Sequence, residues 1–108
     1  DLLRTEAPPF VESLLTAAGV ARGEIAGWAI HPGGRRVVEA VAETLGLAPE
    51  ETESSFSVLR DCGNMSSATV LFVLEREFDR LKQLGRRGPV VTLAFGPGLT
   101  VEGAVLTQ

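Results

Sequence analysis

Cysteine and histidine occur once each in these 108 residues, as Cys62 and His31. A single thiol can form no internal disulfide, and no cluster of cysteine and histidine stands at metal-ligand spacing, which excludes a disulfide-stapled scaffold and a zinc-ribbon type of site. A reducing cytoplasm is the default compartment for such a chain. Lysine is equally scarce. Lys82 stands alone beside nine arginines, and fourteen acidic against ten basic side chains leave a formal charge of −4. A general nucleic-acid binder needs a basic stripe that this balance does not supply. No apolar run approaches the roughly 20 residues that span a bilayer. Asp1-Leu2-Leu3-Arg4-Thr5-Glu6 has neither the basic start nor the apolar stretch of a signal peptide. The chain opens without methionine, directly before a helical pattern, and material upstream is expected to have been removed.

What is present is a globular pattern, 44% apolar, of a size that fits one domain or a detached part of a larger one. Pro8 and Pro9 precede an apolar stripe at helical spacing (Phe10, Leu14, Leu15, Ala18) that Gly19 can close. Gly27-Trp28-Ala29-Ile30 reads as a short buried strand. Val37, Val38, Val41 and Leu45 predict a helix stopped by Gly46. Residues 47–53 read as a polar connection, and 54–61 stay undecided between states. The longest helix is expected from about Ser66 to Leu84. Its first half is apolar on every side and should be sandwiched between layers, while its second half turns Phe78, Leu81 and Leu84 inward. Pro89 to Phe95 reads as a buried strand, Gly96-Pro97-Gly98 as a turn, and Leu99, Val101 and Val105 as one face of a returning strand.

In strand–helix alternation, strand ends and helix starts share one edge of the sheet, the usual edge for ligands. Three loops should therefore meet: His31-Pro32-Gly33-Gly34, Gly63-Asn64-Met65-Ser66 and Phe95-Gly96-Pro97-Gly98. Each has a plain alternative. His31 is either catalytic or structural, Asn64 and Ser66 are either site residues or helix caps, and the third loop is by itself an ordinary tight turn.

The residues Trp28-Ala29-Ile30-His31-Pro32-Gly33-Gly34, Gly63-Asn64-Met65-Ser66-Ser67-Ala68 and Phe95-Gly96-Pro97-Gly98-Leu99-Thr100-Val101-Glu102 together resemble three consecutive signatures of type III polyketide synthases, the chalcone/stilbene-synthase-like family. The resemblance covers the chain from Gly27 onward. It implies an α/β fold, the C-terminal half of a thiolase-like fold over residues 1–108, with a mixed sheet and a buried central helix. Such a half would expose a large apolar face and self-associate. The resemblance also implies an acyltransferase that condenses malonyl-CoA, by decarboxylation, with an acyl starter carried on coenzyme A, and then cyclises the product. No cofactor is implied beyond these thioester substrates, and no metal.

On the same resemblance His31 and Asn64 are the catalytic pair, donors to a thioester or enolate oxygen. Donors preset where charge develops are the effective kind, worth about 10²–10³ in rate apiece. Ser66, Phe95, Gly96, Pro97 and Gly98 would line the substrate pocket, and Gly33, Gly34 and Arg36 would meet coenzyme A. Arg35 and Arg36 open a helix, where the dipole disfavours cations. They are either solvated surface arginines or reach a coenzyme A phosphate. The family's nucleophilic cysteine belongs to the first half. Cys62 does not occupy its place in the motif and reads as a small buried thiol, so this chain alone should be inactive. Ala94 stands where plant members commonly carry glycine, which puts a plant-like product in doubt. Implied partners are the missing N-terminal half and a second copy in a cytoplasmic homodimer, with no nucleic acid and no membrane. The alternatives are a ketoacyl-ACP synthase III-like condensing enzyme and a non-catalytic scaffold.

Overall fold

The computed structural model describes residues 2–63, 69–96 and 100–106. In chain order these form α1 (Leu2–Ala18), β1 (Gly27–Ile30), α2 (Arg35–Leu45), α3 (Glu53–Cys62), α4 (Thr69–Gln83), β2 (Val90–Gly96) and β3 (Thr100–Leu106), with single 3₁₀ turns at Arg22–Glu24 and Pro49–Glu51. The sheet has the order β1-β2-β3. β1 runs parallel to β2, with Gly27 opposite Val90 and Ile30 opposite Leu93. β3 returns antiparallel, with Val91 opposite Val105.

Alternation along the strands divides the core into two layers, because successive side chains leave a strand on opposite faces. Trp28, Ile30, Val91 and Leu93 face one way and pack with Val11 and Leu15 of α1 and with Val38, Val41 and Leu45 of α2. Ala29 and Val90 face the other way and pack with Val58 of α3 and with Val73 and Leu81 of α4. The sheet is thus covered on both sides, as expected for strands that read as continuous apolar runs. Gly103 lets α1 press onto β3: a Cβ there would stand 3.0 Å from Phe10 Cε2 and 2.8 Å from the carbonyl oxygen of Thr92.

The helices depart from the sequence expectation in three places. α1 does not wait for Pro8 and Pro9 but runs through them. The stripe that holds it is Ala7, Val11 and Leu15, buried at four-residue spacing across the prolines, and that burial outweighs the local cost of an interior proline, about 3 kcal/mol. The undecided segment is helix α3, whose inward face is Ser54, Ser55 and Val58. Leu84, expected inside, is exposed just beyond the end of α4, where Gly85 turns the chain at φ 68°. The predicted stop of α2 at Gly46 matches: it sits at φ 69° and donates its N–H back to Ala42 and Glu43.

Candidate active site

His31 follows directly on the last residue of β1. Its N–H donates to the Leu93 carbonyl at 2.7 Å and its own carbonyl accepts from Gly33 at 3.0 Å. The next step of the β1–β2 register sets it beside Ala94, near the end of β2. The side chain is half-buried, and loss of solvent holds its pKa below the ordinary 6.5. Desolvation disfavours the charged imidazolium, so near neutral pH the ring is neutral and can take a proton. A Cβ on Gly33 would stand 3.7 Å from His31 Cδ2, so this glycine lies against the ring. Pro32 is buried, and α2 starts from Gly34, whose carbonyl accepts from Val37 and Val38.

The outer edge of β1 has no strand beside it among the described residues, yet its N–H groups have partners. Trp28 donates to Glu77 Oε2 at 3.0 Å, and Ile30, two residues on and on the same edge, donates to Ser55 Oγ at 3.2 Å. Helices α4 and α3 thus supply side chains where another strand would supply carbonyls. Glu77 is wholly buried. It also accepts from Ser54 Oγ at 2.8 Å and from Nε and Nη2 of Arg80, both at 2.9 Å. The forked pairing raises the pKa of Arg80. A buried carboxylate survives only when charge and lone pairs are met in this way.

A second clamp ties α3 to α4. Arg76 donates to Asp61 Oδ2 at 2.9 Å and to Ser57 Oγ at 3.0 Å. The hydrogen bond from Arg76 is the chief reason that Asp61 lies below the usual carboxylate range. Cys62, expected as a buried thiol, is exposed. It occupies the last position of α3, with Arg76 Nη2 3.9 Å from its sulfur. The clamp joins residues on either side of 64–68, a segment outside the described residues.

His31, Gly33 and Gly34 therefore lie at the C-terminal edge of β1, and Phe95 and Gly96 at the C-terminal end of β2, the same edge because the two strands are parallel. α4 crosses β1 with Glu77 at its N-terminal end, so the helix begins toward the His31 edge. Asn64, Ser66, Pro97 and Gly98 lie outside the described residues. Phe95 packs its ring against the α1–α2 side of the core. Arg36 is exposed. Arg35 pairs along its own helix with Glu39 at 3.4 Å and lies 5.8 Å from the centroid of the Phe56 ring. Glu77, Ser54 and Ser55 were not singled out from sequence. The signal for Glu77 was there: it shares the four-residue stripe Thr69, Val73, Leu81. Among the described residues no three of His, Cys, Asp and Glu are grouped to hold a metal.

This α/β unit, a mixed sheet with helices on both faces and an imidazole at the end of its parallel strand, matches the thiolase-like fold that the resemblance implies. Residues 3–108 match the family described as chalcone and stilbene synthases, C-terminal domain, and the chain belongs to that family. It is 40% identical to the type III polyketide synthase pspB of Penicillium soppii over 94% of this chain and 26% of that protein. It is 39% identical to the alpha-pyrone synthesis polyketide synthase-like Pks18 of Mycobacterium tuberculosis over 88% of this chain and 24% of that protein. The crystal structure of PKS-I from the brown alga Ectocarpus siliculosus superimposes with a TM-score of 0.87 at 35% identity, over 98% of this chain and 29% of that one. The chain thus spans about a quarter of the length of the curated relatives it matches.

Proposed function

We propose that this chain is the part of a type III polyketide synthase that carries the oxyanion donors and one wall of the product cavity. The intact protein condenses malonyl-CoA, by decarboxylation, with a coenzyme-A-linked acyl starter and then cyclises the chain. The observation that carries this is His31 at the end of a parallel strand, half-buried with its pKa held below the ordinary value by loss of solvent, on the edge where β2 ends at Gly96.

In this reading the neutral imidazole takes the proton of a cysteine thiol supplied by the N-terminal half, and the imidazolium so formed, with the Asn64 amide, holds the thioester oxygen. When malonyl-CoA loses carbon dioxide, its C–C bonding pair passes to the enolate, whose oxygen the same donors stabilise. Gly33, Gly34 and Arg36 meet coenzyme A, and Ser66 with Phe95, Gly96, Pro97 and Gly98 shapes the cavity. Leu71 and Phe72, 65% and 44% exposed on α4, are covered by the N-terminal half. The intact enzyme is a cytoplasmic homodimer. No helix among the described residues is long and apolar enough to cross a membrane.

The test is carbon dioxide release from malonyl-CoA by the intact protein supplied with an acyl-CoA starter. His31→Gln and Asn64→Ala should each lower kcat by about 10²-fold or more. Full activity in either variant overturns the assignment, and sedimentation of the intact protein checks the dimer.

A further inference from the structure

We propose that Ser55 is a positioning residue for His31, resting on the functional reading above. Among the described residues, the hydrogen bonds that hold the backbone around His31 include one from a side chain. On the inner side, His31 N–H meets the Leu93 carbonyl at 2.7 Å; after it, Gly33 N–H meets the His31 carbonyl at 3.0 Å. On the outer side, the N–H of Ile30, one residue earlier, is taken by Ser55 Oγ at 3.2 Å. No strand flanks that side among the described residues, and Ser55 and Ile30 are both fully buried. A serine has one rotatable bond between backbone and oxygen, so this contact sets the distance between α3 and the end of β1.

α3 is itself held to α4 by the Arg76 contacts to Ser57 and Asp61 and by Ser54 on Glu77. Ser55 transmits that fixed frame to the strand end from which the imidazole projects. Without the hydroxyl, Ile30 N–H has no acceptor inside a dry core. The strand end then shifts, because a buried unpaired N–H is costly and the end of a strand gives more easily than its middle. Placement errors of about 1 Å cost about 10²-fold in rate.

The experiment uses the intact protein, measures malonyl-CoA decarboxylation, and follows thermal unfolding alongside. Ser55→Ala should lower kcat on the order of tenfold, with KM for malonyl-CoA unchanged and the protein folded at the assay temperature. Ser55→Thr, which keeps the oxygen, should restore kcat. In a His31→Gln background, Ser55→Ala should cost nothing further, because residues acting through one another are not additive. Should Ser55→Ala fail to fold, Ser55→Cys replaces it: sulfur is a weak acceptor, and a similar kcat loss is expected. Unchanged kcat in the folded variant, or an equal loss in the His31→Gln background, overturns the inference. If His31→Gln lowers kcat and the Ser55 variants do not, only this inference falls. If His31→Gln leaves kcat unchanged, the functional reading falls and this falls with it.

Discussion

Trp28 hands its backbone N–H to Glu77 Oε2 at 3.0 Å in a site where both residues are buried. The carboxylate completes the strand edge, satisfies Ser54 and neutralises Arg80 at once. Glu77→Ala leaves Trp28 N–H, the Ser54 hydroxyl and a guanidinium without that partner. Breaking a buried pair from one side costs about 3–5 kcal/mol. Glu77→Gln keeps an acceptor while losing the charge and should cost less, about 1–3 kcal/mol. Denaturant unfolding of the two variants checks both the size and the order.

Gly27 should tolerate nothing larger. A Cβ there would stand 2.5 Å from Glu77 Oε2 and 3.0 Å from its Cγ, and Glu77 cannot swing aside without dropping its partners. Gly27→Ala is expected to cost about 1–3 kcal/mol by overpacking. The cost should shrink in a Glu77→Ala background, and a double-mutant cycle reads that coupling directly.

The depressed pKa of His31 gives stability a defined pH dependence. The native ring resists protonation below the ordinary 6.5, so as pH falls past that value the unfolded chain takes up the proton first. His31 therefore contributes stability above 6.5, and the contribution is lost as pH falls from there through the native pKa. His31→Gln should flatten that acid limb of the stability curve, as followed by denaturant midpoints across pH.

Leu71 and Phe72 point away from the sheet on α4 while Val73 and Leu81 pack against it. Replacing both with glutamine in the isolated chain should reduce self-association seen by light scattering. Unfolding free energy should move by no more than about 0.5 kcal/mol per site, as at an ordinary surface. A large loss of stability would mean that this face is packed within the chain itself.

Much of this was visible in the residues. The three strands, the glycine stop of α2 and the meeting of His31 with the end of β2 follow from apolar periodicity and from glycine placement. The two-faced apolar start of α4 announced a face that this chain does not cover. What stayed hidden was polar and buried. α3 conceals its inward face behind Ser54 and Ser55, which periodicity counts as surface, and Glu77 reads as solvated until the strand N–H groups that need it are known. The prolines hide the true start of α1, because the tertiary stripe that overrides them is supplied only by the fold. Residue type alone places Cys62 inside, but it ends a helix and is exposed.

β1 and β2 lie side by side although α2, α3 and α4 come between them in the chain, whereas β2 and β3 are neighbours in sequence as well as in the sheet. Non-local pairings form late because a long loop must close before any contact rewards it, while a hairpin closes quickly. Folding should therefore begin with the β2–β3 hairpin, and the parallel strand should dock once the helices between have formed. His31 rides on that last-arriving strand, so its site is assembled at the end of folding, when the scaffold that receives it is already in place.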